Sequence, residues 1–262
     1  MINLLKRHQN TGCEMQPFTK VPAYYDRLMQ EVDYREWCDY LQQIFRRTGV
    51  PPGAVLLDMA CGTGTLTLLL SAAGYKADGF DSSEQMLKVA RAKARAAGVE
   101  MRLWRDDLRS FTVKKPYRAI TCLFDSINYL RQDAELQQCC GLAYKALDPG
   151  GVFAFDLNTV YSLSVFWHQR VQVHQDDGIY SIWRNRFDPA TGCAELQLTL
   201  FVPEKGLFRK VEEMHRERGY ELDEIRQALE RSGFKKIEIF RHGTFEPPVR
   251  ETTRVMVVAE KV

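Results

Sequence analysis

The sequence has 262 residues, of which 45% are hydrophobic, and a formal net charge of +2. This apolar content is sufficient for the core of one large domain, and the near-neutral charge gives no global argument for a nucleic-acid or anionic-membrane partner. Asp58 and a glycine-containing stretch interrupt the longest apolar run, so we expect no transmembrane helix. The first 16 residues lack the apolar segment of a secretory signal, so we expect a cytoplasmic protein. The seven cysteines have neither zinc-ligand nor CxxC spacing, which predicts free thiols and no metal site.

The first predicted elements are two helices. Aromatic and charged residues occur at helical spacing over residues 21–48, and Pro51-Pro52-Gly53 ends the second helix. Elements that precede the first strand can lie over the strand ends of an α/β sheet. Residues 1–50 are therefore expected to form a helical lid segment in which Tyr25 and Trp37 face a ligand, although packing into the core explains these side chains about equally well.

Strands and helices alternate in the middle of the chain. An apolar run ends at Asp58, and a turn with Gly62 and Gly64 separates it from a helical pattern, which predicts a buried strand, a tight loop and a helix. Further strands are predicted over residues 75–80, 101–104, 117–123 and 152–155, and helices over residues 66–73, 84–97 and 134–147. This alternation predicts a parallel sheet with helices on both faces. Acidic residues end or follow these strands, at the edge where such sheets bind ligands.

The pattern changes after residue 158. Apolar and polar residues alternate over residues 180–187, 194–202 and 207–217, with turn residues between these segments, which predicts an antiparallel β-meander. A helix over residues 222–232 and strands over residues 235–240 and 252–259 then restore the α/β pattern. We therefore predict that residues 160–217 are an insertion into a core formed by residues 51–159 and 218–262.

Four segments of the core carry a family resemblance when they are taken together. They read VLLDMACGTGT at 55–65, GFDSSEQML at 79–87, RDDL at 105–108 and LDPGG at 147–151. In this order they resemble the motifs of class I S-adenosylmethionine-dependent methyltransferases, with Ala60 where that family usually has its first glycine. The resemblance implies an α/β, Rossmann-like, seven-stranded doubly wound sheet with an antiparallel last strand, plus the inserted antiparallel β-meander. It also implies S-adenosylmethionine as the cofactor and S-adenosylhomocysteine as the product.

Each part of this cofactor suggests a partner within the motifs. Asp58 is expected to hold its ammonium group, and Asp81 to accept from both ribose hydroxyls. Phe80 and Met86 are expected to enclose the adenine ring, and Asp107 to accept from its amino group. Helix capping or turn formation is the alternative role for several of the acidic residues. The full set expected to bind the cofactor is Tyr25, Trp37, Asp58, Ala60, Cys61, Gly62, Gly64, Asp81, Ser82, Met86, Asp106, Asp107, Leu108, Leu123, Asp125 and Asn128.

The acceptor and the catalytic group are less determined by the sequence. A core with a meander at this position is similar to methyltransferases of the glycine N-methyltransferase and amino-sugar N-methyltransferase type, which implies a small-molecule acceptor methylated at nitrogen or oxygen. Direct methyl transfer needs mainly alignment, and a general base only if the acceptor must lose a proton. His215 is the best candidate for a base, because Glu213, His215 and Glu217 share one face of an alternating strand. A polar ladder between strands explains the same pattern.

The sequence is also compatible with other functions. A methyltransferase that acts on RNA or protein is less favoured, since the chain lacks a basic tail. An NAD(P)-dependent oxidoreductase requires a small residue where Thr67 stands and does not favour Asp58. A noncatalytic protein that retains the cofactor pocket as a sensor also fits the motifs. The aromatic insert is expected either to wall the acceptor pocket or to form a homodimer interface.

Overall fold

The structure of the protein, a computed structural model, describes residues 17–262. The expectations for residues 1–16, including Cys13, lie outside the described residues. The described chain forms a seven-stranded sheet covered by helices and a separate four-stranded sheet. None of the helices in residues 17–262 combines the length and the apolar character that crossing a membrane demands.

Two helices precede the first strand. α1 (Pro22–Leu28) follows a short irregular segment, and α2 (Tyr34–Arg47) is capped at its N-terminus by Asp33, whose side chain accepts from the amides of Arg35 and Glu36. α2 packs its apolar face on the large sheet, whereas α1 lies against the four-stranded sheet. We call residues 17–28 the lid, because they lie over the strand ends described below.

The strands of the large sheet and the helices that cover it are β1 (Val55–Met59), α3 (Thr65–Ala72), β2 (Lys76–Asp81), α4 (Glu84–Ala97), β3 (Leu103–Arg105), β4 (Tyr117–Cys122), α5 (Asp133–Ala146), β5 (Leu147–Asn158), α6 (Leu222–Ser232), β10 (Lys235–Arg241) and β11 (Arg254–Glu260). The strand order is β10-β11-β5-β4-β1-β2-β3. Strands β1 to β5 pair in parallel, whereas β11 runs antiparallel to β5 and β10. The predicted Rossmann-like sheet with an antiparallel last strand is confirmed. The chain changes direction across the sheet at β1, which places a ligand crevice beside that strand.

Alternate residues of β1 lie on opposite faces of the sheet and belong to two different hydrophobic clusters. Leu57 and Met59 pack towards α5 and α6, while Leu56 packs towards α2 and α3. Each fully buried leucine of this kind contributes about 1.5–3 kcal/mol relative to an exposed one. The central strand is therefore fixed from both faces, and with it the position of the loop that follows.

Strand β5 differs from its sequence-based prediction. The strand was predicted over residues 152–155, but residues 148–151 also lie within β5, where they form a bulge between the pairs Tyr117–Leu147 and Ala119–Val152. Arg118 donates to the carbonyl of Gly150, and the Gly150 amide donates to Lys261. These partners come from distant parts of the chain, so local sequence does not reveal them.

The four-stranded sheet consists of residues from the predicted insertion. Its strands are β6 (Val171–Asp176), β7 (Ile179–Asp188), β8 (Cys193–Glu204) and β9 (Leu207–Arg218), which pair antiparallel in chain order. One face buries Leu198 and Leu200 against Val21 of the lid. The lid is therefore packed against the insert on one side while its other contacts reach the large sheet.

Candidate active site

The loop between β1 and α3 has three residues in the left-handed region of backbone conformation. φ is +53° at Ala60, +55° at Gly62 and +73° at Gly64. Because Ala60 has a Cβ atom, this conformation costs about 1–2 kcal/mol at that position. The sequence shows only that Ala60 is small, so the strain could not be predicted from it. A Cβ atom placed on Gly62 meets no atom within 4 Å, so the loop backbone has an open face there. The Cys61 amide donates to the carbonyl of Phe80 at 2.9 Å and ties the loop to β2.

Asp81 ends β2 directly beside this loop. Its two carboxylate oxygens accept from the Gly62 amide at 2.9 Å and from the Ser83 amide at 2.8 Å. Burial raises the pKa of Asp81, and these two hydrogen bonds oppose the rise. The Ser82 carbonyl accepts from Arg105 at 3.0 Å, so Ser82 links β2 to β3 through its backbone. Asp81 therefore holds the open glycine loop against the start of α4.

Asp58 lies at the junction of β1, β4 and α3. It is 4% exposed, and its two oxygens accept from the hydroxyls of Thr121 at 2.8 Å and Thr67 at 2.6 Å. Burial raises its pKa to about 6, although both hydrogen bonds lower it. Asp58 was expected to hold an ammonium group, but in the structure both of its oxygens accept from internal hydroxyls.

The residues after β3 are largely paired among themselves. The Arg109 side chain donates to both oxygens of Asp107 at 2.7 Å, which lowers the pKa of that carboxyl. Asp106 accepts from the Asp107 amide at 3.0 Å and from the Trp104 indole at 3.2 Å. Leu108 packs against the core below. The expected contact between Asp107 and an adenine amino group therefore competes with a bidentate ion pair.

The two side chains expected to enclose adenine lie in different surroundings. Phe80 packs in the core with its ring centroid 5.0 Å from that of Phe111 and 5.8 Å from that of Trp104. Met86 is 2% exposed at the start of α4, where its amide donates to the Ser83 hydroxyl at 3.2 Å. Phe80 therefore belongs to the hydrophobic core beneath the sheet, whereas Met86 lies in the first turn of α4.

The end of β4 carries a strained turn. Leu123 is buried, and both Phe124 and Asp125 adopt positive φ, at +57° and +52°. Arg254 of β11 donates to Asp125 at 2.8 Å and also to Asp156, and the Asp125 amide donates to Asp156 at 3.1 Å. Non-glycine residues persist in this conformation only where their surroundings hold them, which is common at functional sites.

Two further side chains extend this cluster towards the insert. Glu217 of β9 accepts from the Asn158 side chain at 3.0 Å, and burial, followed by the Asp125 charge, raises its pKa well above the usual value. Asn128 donates to the carbonyls of Asn158 and Arg218 at 3.0 and 2.8 Å and accepts from the Asn158 amide at 2.9 Å. The structure thus uses Asn128, expected to contact the cofactor, to join β5 and β9.

The lid reaches the same strand ends from above. Burial, the Tyr34 hydroxyl and the carboxylates of Asp125 and Asp81 raise the pKa of Tyr25, so its hydroxyl lies within the field of both carboxylates. Asp26 accepts from the hydroxyl of Thr63 in the glycine loop at 2.5 Å. The structure therefore brings Tyr25 to the predicted site.

Trp37 of α2 lies farther along this edge. Its ring stacks on Phe124 at 4.3 Å between centroids and lies 4.0 Å from His242. The Arg254 guanidinium lies 5.7 Å from the Trp37 ring centroid. Trp37 therefore packs against the strained turn after β4 through Phe124.

His215 is buried on the inner face of β9, together with Glu213 and Glu217. Its Nδ1 lies 3.0 Å from the Tyr129 hydroxyl, and its Nε2 lies 3.5 Å from Glu213 Oε2. Burial and the charges of Glu217 and Asp125 raise the pKa of Tyr129. Tyr129, His215 and Glu213 therefore form a chain of hydrogen-bonding groups that runs from the strand ends into the insert.

Three residues at this site were not predicted from the sequence. Tyr129, Arg254 and Phe18 have no distinguishing local pattern, since each reaches the site through partners far along the chain. The ring of Phe18 lies 4.7 Å from that of His215, 5.7 Å from that of Tyr129 and 5.8 Å from that of Tyr25.

These features define a class of protein. A doubly wound sheet with a glycine loop after β1 and an acidic residue at the end of β2 binds a nucleoside-bearing cofactor at its strand ends. A family model described as a methyltransferase domain matches residues 56–151, which contain this loop and Asp81.

Similar proteins define the class further. A protein of Geobacillus sp. (strain WCH70) with a provisional methyltransferase name is 31% identical over 91% of this chain and 97% of its own length. The chain therefore belongs to the class I S-adenosylmethionine-dependent methyltransferases, and it uses S-adenosylmethionine as its cofactor.

Solved structures agree with this family. An S-adenosylmethionine-dependent methyltransferase from Clostridium acetobutylicum ATCC 824 has a TM-score of 0.83 and 27% identity, over 90% of this chain and 95% of its own. An amino pentose methyltransferase from Micromonospora echinaspora, solved with S-adenosylmethionine bound, has a TM-score of 0.73 and 20% identity, over 95% of this chain and 100% of its own. The second likeness shows the fold alone.

Proposed function

We propose that the protein transfers a methyl group from S-adenosylmethionine to a nitrogen or oxygen atom of a small-molecule acceptor by direct displacement. The observation that supports a small acceptor is the cover over the strand ends. The lid bonds to the glycine loop through Asp26 and to the insert through Glu213. An acceptor that reaches the ends of β1, β2 and β4 must fit beneath this cover, whereas RNA or protein substrates need an open groove.

This proposal gives each part of the chain a task. Residues 51–159 and 218–262 would bind the cofactor, the helical segment within residues 1–50 would close over it, and the insert of residues 160–217 would select the acceptor. The lid packs between the insert and the glycine loop, which supports this division. A homodimer through the insert remains a further proposal.

The described residues fit the proposed cofactor at several points. Gly62 presents open backbone, and each oxygen of Asp81 keeps a lone pair beyond its internal hydrogen bond for a ribose hydroxyl. Met86 and the backbone near Leu108 would border adenine, while Tyr25, Leu123 and Asp125 would border the methionine portion. When bound, S-adenosylmethionine supplies a methyl group on a sulfonium whose sulfur leaves as a neutral thioether.

His215 would act as a base through Tyr129. A proton from the acceptor would pass to the Tyr129 oxygen while the Tyr129 proton passes to His215 Nδ1, across the 3.0 Å contact between them. Tyr129 would touch the acceptor, and His215 would touch only Tyr129. For an amine acceptor that is already neutral, the two would mainly orient the nucleophile.

An amine is the favoured acceptor within this proposal. The buried carboxyl groups of Asp156 and Glu217 and the partly buried one of Asp125 lie near the guanidinium of Arg254. Buried negative charge is costly unless it is compensated. An amine that binds in its protonated form would supply this compensation, which an alcohol does not, and its nitrogen would become the nucleophile once the proton passes through Tyr129 to His215 Nδ1.

The test is a methyl-transfer screen with isotope-labelled S-adenosylmethionine. Small metabolites, RNA and protein from a bacterial extract are separated first, and each fraction is incubated with the enzyme and analysed by mass spectrometry. Label is expected in a small amine, and an Asp81→Asn variant serves as the control for background. Label that enters only RNA or protein would contradict the proposal.

A further inference from the structure

A short segment of the lid is held by one side chain of the insert. We call residues 17–21 the strap. The Glu213 carboxylate accepts from the amides of Phe18 and Thr19 at 2.9 Å each, from that of Val21 at 3.1 Å, and from that of Lys20. Four consecutive backbone amides that converge on one carboxylate form an anion-binding nest, in which each hydrogen bond is charge-assisted.

Glu213 depends on these partners because it is buried. Glu213 lies on β9 and is only 4% exposed. Burial acts to raise its pKa, but hydrogen bonds from His215 and from the strap amides outweigh burial, so the pKa is lowered. If the strap moved away, an ionised carboxylate would lose most of its donors. Closure of the strap and the charge on Glu213 therefore stabilise each other.

The strap also contacts both the residues proposed to bind the cofactor and the residues proposed to contact the acceptor. The Ser83 hydroxyl, next to the Asp81–Gly62 contact, donates to the Phe18 carbonyl at 2.5 Å. The Phe18 ring packs among Tyr25, Tyr129 and His215. Phe18 adopts a φ of +58°, which a phenylalanine maintains only when its neighbours hold it there. The strap covers the place where cofactor and acceptor would meet, so it must open to admit them.

We propose that Glu213 is a positioning residue that couples closure of the strap to the protonation pattern of His215. This inference rests on the proposed function, in which His215 Nδ1 accepts from Tyr129. A carboxylate 3.5 Å from Nε2 favours the tautomer with its proton on Nε2. Nδ1 then carries the lone pair that the Tyr129 hydroxyl requires. With the strap closed, Glu213 is ionised and His215 is fixed in the form that can accept a proton.

The first test measures opening of the strap by limited trypsin digestion. The Lys20–Val21 bond is a trypsin site whose amide is held by Glu213, and Val21 is buried. Cleavage at this bond, followed by mass spectrometry, should be at least about tenfold faster in Glu213→Ala than in the wild type, since cleavage follows the population of the open form. Glu212→Ala is the matched control: Glu212 is its neighbour on β9, and its side chain is 44% exposed and pairs with Lys210.

The second test reads the tautomer of His215 by nitrogen NMR of histidine-labelled protein, with His215→Asn used to assign its signals. The wild type and Glu212→Ala should show a proton on Nε2 and a bare Nδ1. Glu213→Ala should shift His215 towards a mixture of tautomers. Glu213→Gln retains the shape and one amide acceptor, so it should be intermediate in both tests, and it serves if the alanine variant does not fold.

The outcomes separate the possibilities. Faster cleavage together with an altered tautomer supports the coupling. Folded Glu213 variants that match the wild type in either measurement overturn it. Neither readout requires methyl transfer, so a failure of the proposed acceptor class would leave both results unchanged, and the two failures are distinguishable.

Discussion

Replacement of Asp81 by asparagine should weaken binding of S-adenosylhomocysteine more than it weakens the fold. In the structure the two oxygens of Asp81 accept from Gly62 at 2.9 Å and from Ser83 at 2.8 Å, and both are proposed to accept from ribose hydroxyls as well. Asparagine supplies one oxygen, turns an amide towards a donor, and removes the charge. A hydrogen bond to a charged group contributes about 1.5–3 kcal/mol, so we expect a loss of about 2–4 kcal/mol. This corresponds to an increase in Kd of about 30- to 1,000-fold.

Isothermal titration calorimetry near neutral pH measures this loss directly. Asp78→Asn is the matched control, because Asp78 lies in the same strand but pairs with Arg102 and Tyr117, away from the loop. It should lower the midpoint of urea unfolding and leave the Kd for S-adenosylhomocysteine unchanged. The reasoning is refuted if folded Asp81→Asn binds with wild-type affinity, or if Asp78→Asn loses as much affinity as Asp81→Asn.

Three further changes test other parts of the account. Arg254→Met should lower the free energy of unfolding in urea by about 3–5 kcal/mol, because it removes the partner of the buried Asp156 carboxylate and of the partly buried Asp125 carboxylate; a loss below about 1 kcal/mol would contradict that role. Asp58 has a folded pKa of about 6, above its unfolded value of 3.8, so its ionised form destabilises the fold above pH 6 and this penalty fades as pH falls towards 4. Relative to Asp58→Asn, the wild type should gain on the order of 2–3 kcal/mol in urea unfolding between pH 7 and pH 4; parallel pH profiles would count against it. Gly79→Ala would place a Cβ 2.9 Å from the Cys61 sulfur, whereas at Gly141 it meets nothing within 4 Å. The first should cost about 1–3 kcal/mol and weaken cofactor binding, and the second should stabilise by about 0.5–1 kcal/mol, with thermal unfolding as the measurement.

Much of the fold follows from local sequence patterns. The glycine loop, the strand that ends on Asp81 and the alternating strands of the insert each carry their signal within about ten residues, where side-chain periodicity and turn chemistry act. The bulge at Gly150 does not, since Arg118 and Lys261 stabilise it from other elements. Local patterns therefore locate the elements and miss the features that long-range partners create.

The same distinction explains the site. Residues that act through backbone geometry, such as Gly62, are recognisable in sequence. Residues whose role depends on a distant partner are not: the contact between Phe18 and Glu213 spans 195 positions, and that between Asp125 and Arg254 spans 129. Asp107 illustrates the converse, because it matches a motif but its oxygens are engaged by Arg109. A motif assigns a residue type to a position, while its free hydrogen-bonding capacity depends on the folded neighbours.

The most direct test of the central claim is a crystal structure of the protein with S-adenosylhomocysteine. Both ribose hydroxyls are expected to bind the Asp81 carboxylate, with the methionine portion of the ligand along the open face of Gly62 and its sulfur near Tyr25 and Asp125 beneath the lid. A ligand bound elsewhere, or bound at these strand ends with its ribose away from Asp81, would contradict it.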